Sequence, residues 1–188
     1  MANSSTASTI MDVAEELIQR QGCNAFSYRD LSERIGIKTS SIHYHFNTKS
    51  DLVNAVMIRY HDVFSAKLET LKKEDSAKKQ FITYISLFAG TYRKGRRICL
   101  CASLASDLDA LPDDTCDVIT RFVTAQEEWL SSVLRKGIEN GDFRRLDDIN
   151  QTARNIFYTL QGAMLMARTS SVERIEDAGK WIQSFLES

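Results

Sequence analysis

The segment over residues 27–52 constrains this chain more than any other, because it contains start and stop signals for short helices. Ser27, followed three residues later by Asp30, is a capping pattern that starts a helix. Gly36 is a typical helix stop. Together these signals predict a helix over residues 28–35 that ends in a tight turn, after which a second helix follows.

The second helix, predicted over residues 39–45, is too polar to lie in a hydrophobic core. Ile42 and Phe46 are the only large apolar residues there that face inward. The other side chains are small hydroxyls, a tyrosine and two histidines, which suit contact with phosphates and base edges in a DNA major groove. Residues 27–46 therefore predict a helix-turn-helix that binds DNA.

Helical periodicity extends over the whole chain. Apolar residues recur at helical spacing from Ile10 to Ile18, and Thr48 with Asp51 forms a second capping pattern. Pro112 is the only proline, and no alternating run predicts a strand. The predicted fold class is all-α with about nine helices. After the first three, helices are predicted over residues 49–73, 77–93, 97–109, 113–140, 148–169 and 172–187.

The polar segment over residues 72–79 is the predicted boundary between two modules. The sequence predicts a helix-turn-helix DNA-binding domain over residues 1–50 and a linking helix over residues 51–73. Residues 74–188, with longer and more apolar helices, are the predicted ligand-binding and dimerisation domain.

Composition and charge narrow the class of protein. Apolar residues make up 43% of the chain, which favours a globular fold with a buried core. No apolar run approaches the ~20 residues that span a bilayer, and the N-terminus has no signal-peptide pattern. We therefore expect a cytoplasmic protein that does not enter a membrane. The net charge of −1 permits site-specific DNA binding through a local basic surface but does not predict it.

Residues 40–52, SSIHYHFNTKSDL, resemble the recognition-helix signature of the TetR family of bacterial transcriptional repressors. The resemblance is close over about the first 60 residues, and the remainder matches in helix order and length. It implies a homodimer that binds double-stranded operator DNA and leaves it when a small-molecule effector binds. Two positions depart from the family's pattern: His43 stands where tyrosine is most common, and Asn47 stands where proline is common.

The resemblance also implies roles for individual residues. Tyr44 and Lys49 match positions that usually hold DNA phosphates, and the start of the first short helix matches positions that clamp the DNA backbone. The start of the second matches positions that read bases. The predicted DNA-binding residues are Ser27, Tyr28, Arg29, Lys38, Thr39, Ser40, Ser41, His43, Tyr44, His45 and Lys49.

The last two helices are predicted to form the dimer interface, and a monomer that buries these helices internally is the alternative. Each has an apolar face with small residues in the middle, which suits the close crossing of helices in a bundle. A mid-helix glycine costs about 1 kcal/mol relative to alanine, and such a cost is usually accepted for close helix approach. The predicted dimer residues are Ile156, Leu160, Gly162, Ala163, Ile175, Gly179 and Ile182.

Aromatic side chains with a few polar atoms recur at helical spacing through the second half of the chain. Each one alone is more typical of a core, but together they suit a partly apolar ligand. The predicted effector-binding residues are Tyr84, Phe88, Tyr92, Cys99, Leu104, Phe122, Gln126, Trp129, Phe157, Tyr158 and Gln161.

Cys99 is the candidate sensor thiol. In a helix that starts near Arg96, it falls in the first turn, on the polar side and beside two arginines, where the reactive thiolate is favoured. The segment also resembles that of TetR-like repressors that respond to electrophiles or unsaturated acids. Cys116 is a candidate resolving thiol. Packing at helix contacts is the alternative for these residues, and Cys23 is expected to be inert.

Two other classes of protein remain open from the residues alone, an all-helical enzyme and a protein-binding adaptor. No nucleophile elbow, glycine-rich phosphate loop or HExxH motif is present, so we expect neither enzyme activity nor a cofactor. The pair of Cys99 and Cys101 on one helix would splay its sulfurs, so no metal site is expected. An enzyme would tolerate loss of Tyr44 or Lys49, and an adaptor would lack the steep salt dependence of DNA binding.

Overall fold

Nine α-helices account for most of residues 6–187, the part of the chain that this computed structural model describes. No β-strand occurs within that range, and single 3₁₀ turns lie at Cys23–Ala25 and Leu108–Ala110. The all-α prediction with about nine helices is confirmed. The helices are α1 (Thr6–Gln21), α2 (Tyr28–Ile35), α3 (Thr39–His45), α4 (Lys49–Leu71), α5 (Ala77–Arg93), α6 (Leu100–Ala105), α7 (Asp113–Glu139), α8 (Ile149–Ala167) and α9 (Glu173–Glu187).

Local capping sets the ends of α2 as the sequence predicts. The Ser27 hydroxyl accepts a hydrogen bond from the Asp30 amide, and the Asp30 carboxylate accepts one from the Ser27 amide at 2.6 Å. Gly36 closes the helix in the left-handed conformation, with φ of 78°, where a side chain would be strained. The turn then leads directly into α3.

The prediction of a helix over residues 97–109 is wrong. Gly95 and Arg96 both have positive φ angles, 91° and 60°, so the backbone is not in a right-handed helical conformation there. The backbone amide of Arg96 donates to the Tyr92 carbonyl at 2.7 Å and closes α5. Helix α6 therefore begins only at Leu100 and lasts six residues.

The chain forms two compact units, whose division falls within α4, within α7 and just before α6. The first unit comprises the residues up to Val63 together with Leu100–Arg121, and the second comprises Phe64–Cys99 and the residues from Phe122 onward. The segment that contains α6 thus groups with the N-terminal helices, whereas the sequence assigned it to the C-terminal domain.

The first unit is built around α1. The Ser103 hydroxyl on α6 donates to the Ile18 carbonyl of α1 at 2.7 Å, in a buried position. Apolar side chains from several helices form the core, and burying each contributes about 1.5–3 kcal/mol. The fully buried members include Ile10, Ile18, Leu31, Ile42 and Leu52.

The second unit packs α5, α8 and α9 around buried aromatic residues. Tyr84, Phe81 and Phe122 are among its largest fully buried side chains. Gly179 on α9 lies directly against α5, where an added Cβ would stand 2.6 Å from the Ile85 Cγ2 atom. None of the helices among residues 6–187 is long and apolar enough to cross a membrane.

Candidate nucleic-acid interface

Helix α3 is held to the first unit by its apolar side and exposes its polar side. Ile42 is fully buried and Phe46, the residue after the helix, is nearly so. Tyr44 is 85% exposed, and Ser40, His43 and the neighbouring His45 are exposed as well. The core therefore holds the buried side of this seven-residue helix in place, and the opposite side presents hydrogen-bonding groups to solvent.

Tyr28 is buried next to α3. Its ring is only 9% exposed, and its hydroxyl donates to the Phe46 carbonyl at 3.0 Å and also approaches the Thr48 carbonyl. Burial, with a smaller effect from the negative charge of Asp51, raises the pKa of Tyr28 to about 12. The sequence placed Tyr28 on the DNA backbone, but its hydroxyl instead ties α2 to the junction between α3 and α4.

Lys49 has a partner in the same region. Its ammonium donates to the Phe26 carbonyl at 2.6 Å and lies 4.5 Å from the centre of the Phe26 ring. One of its three N–H groups is used in this contact, and the side chain remains half-buried. The contact fixes the start of α4 against the residue that precedes the α2 cap.

Ser27 and Arg29 lie at the exposed start of α2. Ser27 caps the helix, and the Arg29 guanidinium pairs with Glu33 at 2.9 Å on the surface. Exposed pairs of this kind contribute little to stability, so the guanidinium is easily redirected toward a phosphate. Lys38, immediately before α3, is exposed too.

The hydroxyls of α3 divide into two groups. Thr39 donates to the Ser32 hydroxyl at 3.2 Å and is partly engaged with α2. Ser40 and Ser41 line a shallow surface depression of about 370 Å³. Thr6, at the start of α1, also lines the depression. Sequence reasoning missed Thr6 because only the fold brings it beside α3. The other residues around the depression are Ile37, Tyr44 and His45.

The two histidines of α3 have different surroundings. The His43 Nδ1 atom lies 3.2 Å from the Asn47 carbonyl oxygen, and its ring meets the Tyr28 ring edge-on at 4.8 Å. His45 has ring contacts with Tyr44, at 5.1 Å, and with Phe46. Among residues 6–187, no group of three or more histidine, cysteine or acidic side chains is placed to hold a metal ion.

The predicted effector residues are divided between the two units. Leu104 belongs to the first unit, whereas the others belong to the second. Tyr158 is exposed, and its hydroxyl donates to Glu127 at 2.9 Å on the surface. Gln161 is half-buried. The buried members within the second unit are Tyr84, Phe88, Tyr92, Cys99, Phe122, Gln126, Trp129 and Phe157.

Tyr84 is the centre of a buried aromatic group. Its ring stacks on Trp129 at 4.9 Å and meets Phe88 edge-on at 5.3 Å. Its hydroxyl donates to the Gln126 side-chain oxygen at 3.3 Å, while the Gln126 amide nitrogen has no hydrogen-bond partner within the described residues 6–187. Tyr92 instead donates to the Ala167 carbonyl at 2.7 Å and joins α5 to α8.

The expected surroundings of Cys99 are wrong. Because α6 starts at Leu100, Cys99 precedes the helix and is only 5% exposed. Its amide donates to the Met164 sulfur at 3.2 Å. Cys23 is also buried, and its thiol donates to the Asp107 carboxylate at 3.4 Å. Burial, together with Asp107, raises the pKa of the Cys23 thiol, which favours the unreactive protonated form.

Most of the predicted dimer residues pack within the chain itself. Only Gly162 is exposed and Ala163 half-buried, while other apolar residues on α8 and α9 face solvent. A small-residue pattern indicates close helix contact but does not say which helix provides it. The internally buried residues are Ile156, Leu160, Ile175, Gly179 and Ile182, and the exposed ones are Tyr158, Leu165, Met166 and Trp181.

An all-α fold whose N-terminal helices expose a polar α3 defines a DNA-binding regulator of the helix-turn-helix class. Comparison with known families agrees with the geometry. The family described as bacterial regulatory proteins, tetR family, matches residues 10–56, and the tetracyclin repressor-like C-terminal domain matches residues 81–179. The chain belongs to the TetR family of transcriptional regulators.

Individual relatives support the same assignment. The chain is 26% identical over 170 residues to the HTH-type transcriptional repressor ComR of Escherichia coli, covering 88% of this chain and 81% of the relative. A TetR-family regulator from Agrobacterium tumefaciens has a TM-score of 0.91 at 30% identity, covering 97% of both chains. A TetR regulator from Legionella pneumophila has a TM-score of 0.89 at 33% identity, covering 99% of this chain and all of its own.

Proposed function

We propose that this chain is a homodimeric repressor that binds double-stranded operator DNA through α3 and leaves it when a small-molecule effector binds to the second unit. The observation that carries the proposal is the exposed polar face of α3, with Tyr44 at 85% exposure above a buried Ile42. A helix fixed on one side and polar on the other suits insertion into a major groove. Ser40, Tyr44 and His45 supply groups for phosphates and base edges.

The exposed apolar residues of α8 support a homodimer. Tyr158, Gly162, Leu165 and Met166 recur at helical spacing, so they form one stripe on the helix surface. Trp181 on the neighbouring α9 is 62% exposed. Grouped apolar exposure of this kind marks interaction surfaces, and two copies supply two α3 helices for half-sites about one DNA turn apart.

The buried aromatic group supports a reversible effector. Tyr84, Phe88 and Trp129 provide apolar contact surface, and the Gln126 nitrogen, which has no partner among residues 6–187, provides a donor. A buried donor without a partner costs about 1–3 kcal/mol, so a ligand that supplies an acceptor gains affinity there. The burial of Cys99 favours such a ligand over modification of the thiol as the trigger.

A gel-shift experiment with the DNA that flanks this protein's own gene tests DNA binding. We expect a discrete complex that the Tyr44→Ala substitution weakens at least about tenfold. Ile82→Ala is the control, because Ile82 is also an exposed large side chain but lies on α5. Equal binding by wild type and Tyr44→Ala would contradict the proposal.

The same complex separates the two modes of release. A mild electrophile is added to wild type and to Cys99→Ser, and in parallel a panel of partly apolar compounds with carbonyl groups is added. We expect release by compounds in the panel and no Cys99-dependent release by the electrophile. Release by the electrophile from wild type alone would identify a thiol switch and contradict the reversible mode.

A further inference from the structure

The hydrogen bond between His43 and Asn47 fixes which nitrogen of the imidazole carries the proton. The Nδ1 atom lies 3.2 Å from the Asn47 carbonyl oxygen. A carbonyl oxygen only accepts hydrogen bonds, so Nδ1 is the donor in this contact. In the neutral imidazole the other nitrogen, Nε2, is then a hydrogen-bond acceptor.

The ring that presents this acceptor is held in place. The Tyr28 ring makes an edge-on contact with it, with the ring centres 4.8 Å apart and an interplanar angle of 66°. Tyr28 is in turn buried and tied to the Phe46 carbonyl. His43 itself is exposed on α3, so its neutral ring offers a fixed acceptor outside the protein core.

A fixed acceptor discriminates among the groups of a DNA major groove. Adenine and cytosine present amino donors there, at N6 and N4, whereas guanine and thymine present acceptors at O6, N7 and O4. Phosphate oxygens are acceptors as well, so neutral His43 does not pair with them. Every base pair has one amino base and one keto base. A contact with a fixed acceptor therefore selects base pairs whose amino base lies on the contacted strand.

We propose that His43 is a specificity-determining residue that reads an amino base, adenine or cytosine, through its Nε2 atom. This inference rests on the proposed function, in which α3 enters the major groove. It adds the chemical class of base at one position of each half-site. Within the part of the chain that the structure describes, the His45 ring contacts the rings of Tyr44 and Phe46, and no carbonyl fixes its tautomer in the same way.

Selection from a pool of random duplexes at pH 8, where imidazoles are generally neutral, tests the inference. The full chain is used as wild type, His43→Arg, His43→Ala and Ile82→Arg. We expect one position in each wild-type half-site to be restricted to adenine or cytosine. His43→Arg should move that position to guanine, because arginine donates to O6 and N7. Ile82→Arg, which adds the same charge to an exposed position on α5, should leave it unchanged. An amino-to-keto change there should weaken wild-type binding about tenfold.

Three results would overturn the inference in distinguishable ways. A wild-type site whose His43-dependent position accepts guanine or thymine equally well would refute the reading of an amino base by His43 and would leave the proposed function standing. Uniform weakening by His43→Ala on every sequence, with a salt slope reduced by about 1, would identify a phosphate contact instead. Absence of any enriched sequence with wild type would refute both the proposed function and this inference.

Discussion

Tyr28 and Tyr44 belong to the same helix-turn-helix but differ in burial, and burial determines what each hydroxyl contacts. The Tyr28 hydroxyl donates a hydrogen bond to the Phe46 carbonyl inside the protein, whereas Tyr44 is 85% exposed. The sequence placed both on DNA, because the resemblance shows which positions recur but not which side chains face inward. Tyr44 remains a predicted DNA contact, and Tyr28 has a structural role in this chain.

Replacement of Tyr28 by phenylalanine should destabilise the first unit. The substitution keeps the ring and removes the donor to the buried Phe46 carbonyl, so the free energy of unfolding should fall by about 1–3 kcal/mol. Tyr44→Phe is the matched control and should change it by less than about 0.5 kcal/mol, because Tyr44 is exposed. Urea denaturation measures both, and equal changes would refute the structural role.

The contribution of Tyr28 to stability should also depend on pH. Its pKa is raised from 10 in the unfolded chain to about 12 in the folded protein. The stabilisation is therefore fully present below pH 10 and is lost as the pH rises toward 12. The difference in unfolding free energy between wild type and Tyr28→Phe should shrink over that window. A difference that stays constant from pH 9 to pH 12 would contradict this assignment.

At the scale of elements, local signals predicted some helix boundaries and not others. The ends of α2 follow from a capping box and from Gly36, which act within a few residues. The start of α6 was missed because Arg96 adopts a positive φ angle that a non-glycine residue seldom takes. The position of Cys99 was misjudged for the same reason.

Gly179 on α9 and Gly90 on α5 make a matched pair of glycines within helices. Gly179→Ala should lower the unfolding free energy by about 1–3 kcal/mol, because the new Cβ would meet the Ile85 side chain at 2.6 Å. Gly90→Ala should not destabilise the chain, since the space around Gly90 is open and alanine favours a helix. Thermal unfolding of the two variants measures the contrast, and equal losses would refute the packing of α9 on α5 described above.

At the scale of the whole molecule, the sequence predicted the helix-turn-helix and the all-α class but not the extent of the compact units. The grouping of α6 with α1 depends on contacts such as that of Ser103 with the Ile18 carbonyl. Residues so distant in sequence leave no local pattern that identifies their contact. Helical periodicity predicts which residues are buried but not whether they pack against the chain itself, a ligand or a second copy. The residues predicted for the effector and the dimer therefore include some that pack within the chain.

The dimer proposed for the exposed stripe on α8 is testable by mass. Leu165→Glu places a charge on that stripe and should convert a dimer to a monomer in sedimentation velocity. Ile82→Glu, which changes an exposed residue on α5 in the same way, should leave the dimer intact. A wild-type chain that sediments as a monomer at micromolar concentration would refute the homodimer.

The central claim is that α3 recognises a DNA sequence, and fluorescence anisotropy with a selected duplex tests it most directly. Affinities of wild type, Ser40→Glu and Ile82→Glu are measured on that duplex and on a scrambled duplex of the same composition. Wild type should prefer the selected duplex at least about a thousandfold. Ser40→Glu should lose at least about tenfold on it through repulsion from DNA, with Ile82→Glu unaffected. Equal wild-type affinity for both duplexes, or full affinity in Ser40→Glu, would contradict the claim.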